Sequence, residues 1–231
     1  MAAAAGVRSR FDVPLNIRTF TGGGFGENAY LVVCEDSKDA VAIDPGGAAA
    51  DLARAIVEDE LSLQAILLTH AHLDHIEGVN DVRAVAPEVP IWLHKDDFGM
   101  YEALPRQAEM FGLSAEAQPT PTHELEHGQR YEFGTCVFNV RFTPGHAPGH
   151  VMFVAEDESV AISGDVVFMG SIGRTDLPGG DLATLMRSIR DQVLTLPDET
   201  VLLSGHGPPT TVGHERVGNP FLVPHYGGEL V

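Results

Sequence analysis

The chain has 231 residues, 44% of them hydrophobic, with 14 Lys plus Arg against 33 Asp plus Glu, a formal net charge of −19 at pH 7. That length buries a full core, so one domain over residues 1–231 is the simplest expectation, with its core at about 15–210 and a short C-terminal tail. The charge repels phosphate backbones and argues against a nucleic-acid partner.

Cys34 and Cys136 are the only cysteines, too few for a disulfide scaffold and outside any CxxC pair. Both are expected in strands as small apolar residues. No run approaches the length of a membrane helix, and the opening "MAAAAGVRSR" lacks the pattern of a secretory signal. A cytoplasmic protein without a membrane partner is the expectation.

In chain order, residues 15–20, 28–33 and 40–43 are short, rich in β-branched or aliphatic residues and separated by turns, as in a meander. "DPGG" at 44–47 stops the sheet, and from Ala48 to about Asp59 Leu52, Ala55 and Ile56 recur on one helical face. "QAILLT" (64–69) is apolar throughout, as in a strand covered on both faces. Ile76, Val79 and Val82 then recur at helical spacing until Pro87, and "PIWLH" (90–94) is another strand. Residues 95–128 are less regular. Strands resume at 131–133, 136–142, 151–155 and 159–163, Asp181 caps a helix bearing Leu182, Leu185, Met186 and Ile189, and "TVLLSGHG" (200–207) supplies a last strand. Strands and helices in two separated runs imply sheets packed between helical layers.

The chemistry concentrates in "LLTHAHLDHIEG" (67–78), where His70, His72, Asp74 and His75 follow directly on the apolar strand. Gathering four such groups in a cleft without a partner is costly, and a cation offsets that cost. Three later positions share the setting of His70, each where an apolar strand runs out into a small-residue turn: His146 in "FTPGHAPGH", Asp165 in "AISGDVVF" and His206 in "LLSGHGPP". If those strand ends converge on one sheet edge, one cation can take His70, His72 and His146, a second can take Asp74, His75 and His206, and Asp165 can bridge them. Nitrogen and oxygen donors without thiolate suit zinc, iron or manganese.

H-x-H-x-D-H followed by a later His, Asp and His resembles the metallo-β-lactamase superfamily over roughly residues 15–210. The resemblance implies an α/β fold, a four-layer αββα sandwich, with two divalent metal ions, zinc first among them, on the sheet edge and the ligand set just drawn. Asp44 matches the family's Asp behind the metal loop. "GDVVFMGSIGRTDLPGGD" (164–181) and the ending "GHGPPTTVGHERVGNPFL" look like compact bacterial glyoxalase II-type hydrolases, implying a small-molecule thioester of the S-lactoylglutathione kind as substrate. Only 24 residues follow Gly207 here, so the helical C-terminal domain of full-length glyoxalase II is not expected within this sequence. In such a site two cations would lower the pKa of a water and polarise the acyl oxygen, Asp74 could orient the water, and a thiolate would depart without needing an acid.

Arg174 is the candidate for gripping a substrate carboxylate, weighed against a plain salt bridge to Asp176. Phe98, Tyr101, Met110 and Phe111 either line a lid or pack in the core, and His94, His123, His127, His150, His214 and His225 are read as structural or surface residues. Three rivals stand beside the thioesterase. Persulfide dioxygenases look similar, share "GRTD" and use one iron, here on His70, His146 and Asp165; a lactonase or β-lactamase and a non-catalytic metal-binding module are the others.

Overall fold

A computed structural model describes residues 7–8 and 15–223. His225 and most of the first ten residues lie outside that range, so the expectations placed on them do too. The first half builds a sheet of seven strands in sequence order, β1 (Val7–Arg8), β2 (Leu15–Gly22), β3 (Glu27–Cys34), β4 (Asp39–Ile43), β5 (Ser62–Leu67), β6 (Ile91–Leu93) and β7 (His123–Glu124). β1 to β4 pair antiparallel, as a meander does. From β4 onward each pairing is parallel and each connection passes through helix: α1 (Ala49–Glu58), then α2 (Leu73–Ile76) with α3 (Val79–Val85), then α4 (Phe98–Glu102) with α5 (Leu104–Met110).

The second half forms a six-stranded sheet from β8 (Arg130–Phe133), β9 (Cys136–Phe142), β10 (Val151–Ala155), β11 (Val160–Gly164), β14 (Val201–Ser204) and β15 (Thr210–Thr211). Between β11 and its parallel neighbour β14 the chain makes a small hairpin, β12 (Val167–Phe168) with β13 (Ser171–Ile172), and helix α6 (Leu182–Ser188). Helix α7 (Val212–Gly218) follows β15.

Period-two patterning explains why the sheets stack. In β3, Tyr30, Val32 and Cys34 enter the core between the sheets while Ala29, Leu31 and Val33 face the helices of the first half. β10 divides likewise, Val151, Phe153 and Ala155 inward and Met152 and Val154 toward α6 and its neighbours. Strands covered on both faces read as continuous apolar runs, and the expected four-layer αββα sandwich follows. Phe138 and Phe153, fully buried with ring centroids 6.1 Å apart, fill the inter-sheet layer.

Cys34 and Cys136 sit in that same layer, one in each sheet, with Cys136 Sγ donating to Cys34 Sγ at 2.6 Å. Among the described residues no helix is long and apolar enough to cross a membrane.

Two stretches differ from the sequence reading. Residues 95–128 are not merely irregular; they carry α4, α5 and β7. The segment after Gly207 is more than a tail. Thr211 caps α7 by accepting from the amide of His214, and the buried Glu215 accepts from Gly170 N at 2.9 Å and from Asn219 Nδ2 at 2.8 Å, tying α7 to the β12–β13 turn. With two glycines in "VGHERVG", propensity alone did not mark this helix.

Candidate metal centre

β4 and β5 run parallel in one sheet, and β9, β11 and β14 share a direction in the other, so their C-terminal ends emerge on one edge of the sandwich. From those ends come Asp44, His70 to His75, His146, Asp165 and His206. Hydrogen bonds across the edge hold the two sheets in register there: Asn28 N and Nδ2 donate to Gly205 O, Ser204 O and Gly207 O, and Val151 N donates to Thr69 O.

All of the expected ligands meet in this place. His70, His72 and His146 bring one nitrogen each to within 4.8 Å of one another, and so do the donor atoms of Asp74, His75 and His206. Asp165 stands between the groups, Oδ1 3.5 Å from His75 Nε2 and Oδ2 3.4 Å from His146 Nε2 and 3.6 Å from His206 Nε2. The rings of His70 and His75 are 4.1 Å apart, so the two groups form one cluster.

Neighbouring groups decide which nitrogens face inward. Thr69 Oγ1 donates to Asp44 Oδ2 at 2.6 Å, which leaves it to accept from His70 Nδ1 at 3.0 Å and puts the lone pair of His70 on Nε2. Asp44 also accepts from His75 Nδ1 at 3.0 Å, and the carbonyl of Arg174 accepts from His146 Nδ1 at 2.8 Å. His70 and His146 thus donate outward and present an Nε2 lone pair inward, and His75 also turns its Nε2 inward, the arrangement by which carboxylates and carbonyls orient metal-binding histidines; His72 instead turns Nδ1 inward, 2.8 Å from His146 Nε2. Asp44 converges with His70 and His75 as well, but its oxygens are committed to Thr69 and His75, and it acts as their support.

His70 Nε2, His75 Nε2 and Asp165 Oδ1 are buried without a hydrogen-bond partner. Orphaned polar atoms are rare and costly singly. Three that point into one cluster fit a cation, and the N/O donor set suits a hard or borderline divalent metal.

Burial holds the pKa of His70, His72 and His146 below the ordinary imidazole value, that of His72 at about 3, and the neighbouring histidines add to the effect at His70 and His72. Burial also works against the imidazolium of His75, but the carboxylates of Asp165 and Asp74 override it and its pKa rises. His206 shifts upward too, burial being overcome by its 3.1 Å contact with Asp74. Two glycines are dictated by crowding here: a Cβ on Gly205 would lie 2.2 Å from Asp165 Oδ1, and Gly164, at φ +49°, would meet Thr69 Oγ1 at 2.6 Å.

The cluster floors a cleft of about 320 Å³ whose walls include Leu73, Phe168, Ile172 and Leu177, with Phe25 and Phe111 packed edge to face across its rim at 5.3 Å. The expected lid residues divide. Met110 and Phe111 are 65% and 45% exposed and face the clefts, whereas Tyr101 is core and Phe98 packs against it. Arg174 lines the cleft, yet its guanidinium closes on Asp176 through two hydrogen bonds of 2.7 and 2.8 Å on the exposed surface.

His150 is structural as expected: its Nε2 accepts from Asp165 N at 3.0 Å. His94 stacks on Phe142 and His123 on Trp92, while His127 Nδ1 accepts from Phe142 N and His214 contacts Glu215.

Sequence reasoning missed several contributors. Asp97 is fully buried and accepts from Ala71 N at 3.0 Å and Gly149 N at 2.5 Å, fastening the loops of His70 and His72 to that of His146; burial pushes its pKa up to about 6 against the pull of those two amides. Gln107 supports the same loop through Leu73 N and Ala71 O. Glu27 is a fully buried carboxyl without a hydrogen-bond partner, its pKa raised by burial. Nothing in "HKDDF" separates Asp97 from the exposed Asp96 beside it, and the strand expected at 28–33 gave no sign that Glu27, one position before it, is buried.

Comparison with known proteins agrees with this geometry. The family model of the metallo-beta-lactamase superfamily matches residues 22–206. Hydroxyacylglutathione hydrolase GloC of Haemophilus influenzae is 40% identical over 211 residues, 90% of this chain and 98% of that protein. Among solved structures, TTHA1623 in a di-iron-bound form superposes with a TM-score of 0.80 at 42% identity, covering 88% of this chain and 99% of that one. The BLEG-1 B3 metallo-beta-lactamase gives a TM-score of 0.83 at 40% identity, covering 90% and 100%.

Proposed function

The chain belongs to the metallo-β-lactamase superfamily and is a metallo-hydrolase, and from that membership we propose that it hydrolyses thioesters, of the S-acylglutathione class that includes S-lactoylglutathione. One observation carries the reading: six His and Asp side chains converge around Asp165 at the floor of a cleft with apolar walls, in a chain that aligns over 90% of its length with a hydroxyacylglutathione hydrolase.

His70, His72 and His146 would hold one divalent cation and Asp74, His75 and His206 the other, with Asp165 serving both. When bound, such a pair lowers the pKa of a water and polarises the acyl carbonyl. The chain's own residues do the rest. Asp44, Thr69 and the carbonyl of Arg174 hold the rings of His70, His75 and His146 with Nε2 turned inward. The carboxylate of Asp74, part-exposed at the cleft floor with Oδ2 3.1 Å from His206 Nε2, can accept the proton of the attacking water. Leu73, Phe168 and Ile172 exclude bulk water around the reacting carbonyl. No residue of the cleft is placed as a dedicated acid for the leaving group, which suits a thiolate better than an amide nitrogen.

The test is a substrate panel with metal-loaded protein: S-lactoylglutathione, other thioesters, a lactone, a β-lactam and glutathione persulfide, alongside elemental analysis. Thioester turnover, lost together with bound metal in Asp165→Ala, is the expected result. The di-iron-bound form of TTHA1623 favours keeping one alternative in that panel, an iron-dependent persulfide dioxygenase on His70, His146 and Asp165. One iron per chain with rapid oxygen uptake on the persulfide and no thioester turnover would replace the thioesterase reading.

A further inference from the structure

Beside the metal cleft opens a second cavity of about 180 Å³, sharing His72, Phe111 and Leu177 with it. Its remaining walls come mainly from α4 and α5, with Met100, Ala103 and Met110 prominent. Gln107 also borders it, but its amide is committed to the backbone, accepting from Leu73 N and donating to Ala71 O and Met100 O at 2.9 to 3.0 Å. Apart from His72 at the inner end and Arg106 at the wall, the surface has nothing to offer a hydrogen-bonding ligand. Met110 and Phe111 nonetheless hold large apolar side chains against solvent there, an exposure that an apolar ligand would cover.

A thioester bound with its carbonyl at the metal cluster must send two arms away from it. One arm can follow the main cleft past Ser171 and Arg174, where polar groups are at hand; the other direction available from His72 leads into the apolar cavity. A lactoyl group is short and carries a hydroxyl, so it would leave that cavity unfilled and gain nothing from its walls.

We propose that the α4–α5 cavity is an acyl subsite, and that the chain selects thioesters whose acyl arm is an apolar chain of several carbons on a polar thiol carrier. This deepens the thioesterase reading and rests on it.

The test holds the thiol constant. With metal-loaded protein, kcat/KM is measured for S-lactoyl-, S-acetyl-, S-butanoyl- and S-hexanoylglutathione. Burial of each methylene is worth up to roughly fourfold in binding, so the three carbons by which hexanoyl exceeds lactoyl set a ceiling of about sixtyfold, and the expected result is a steady rise with length that puts hexanoyl at least about tenfold above lactoyl. Met110→Glu, on an exposed helix position, sets a charge beside the cavity and should cut the hexanoyl-to-acetyl ratio by about tenfold. Because the readout is a ratio, partial loss of folded protein does not mimic it. Turnover that is indifferent to acyl length, or highest on lactoyl, overturns the subsite while the thioesterase stands; a ratio unmoved in Met110→Glu overturns it as well. Absence of turnover on every member of the series overturns the thioesterase reading and the subsite with it.

Discussion

At the scale of single residues, the cluster divides into two chemically different halves. His70, His72 and His146 are held neutral by burial, whereas His75 and His206 keep their protons more firmly than a free imidazole because of Asp165 and Asp74. A metal ion requires the deprotonated ring, so the first half takes a cation without releasing protons and the second must expel them. The sign follows directly: as pH falls below the raised pKa of His75, affinity at the second half should weaken by about tenfold per pH unit for each proton displaced, while the first half changes little. Competition against a chelator at pH 6 and pH 8, with released protons counted, reads this out. Equal pH dependence of both binding events would contradict the division. The candidate ligands were legible because His72, Asp74 and His75 crowd behind His70, and His70, His146, Asp165 and His206 each stand where an apolar strand runs out into a turn. Their supports were not, since Asp97, Gln107 and Glu27 are ordinary polar residues in the sequence that only tertiary burial singles out.

At the scale of elements, the strands that bury both faces can be read directly from their nearly unbroken apolar runs, as in β10 and most of β3. The short helices do not. α4 and α5 have five and seven residues, and their packing rests on Tyr101, Leu104 and Ala108 rather than on a sustained helical stripe. Their placement matters to the centre because Asp97, at the head of α4, joins the loop between His70 and His72 to the loop beyond His146. In Asp97→Asn one of the two amides meets an NH2 group in place of an acceptor. Metal affinity is expected to fall by about 10- to 100-fold while the fold persists, as for other residues that orient ligands. Calorimetric metal titration of the variant, with circular dichroism as the control on folding, makes the check; wild-type affinity would show that the loops hold their geometry without this carboxylate.

At the scale of the whole molecule, two sheets place five strand ends on one edge, and the hydrogen bonds from Asn28 and Val151 lock the halves together there. The sandwich was foreseen from the two runs of strands and helices and from the H-x-H-x-D-H resemblance. The extension of the second sheet by β15 and α7 was not, because the contact of Glu215 that ties α7 to the β12–β13 turn reaches Gly170, far away in the sequence. The central claim is that seven side chains gathered from across the chain hold a pair of cations. Anomalous diffraction from crystals of metal-loaded protein tests it most directly. Two peaks are expected, one among His70, His72 and His146 and one among Asp74, His75 and His206, with Asp165 between them; a lone peak, or none within reach of these residues, would contradict it.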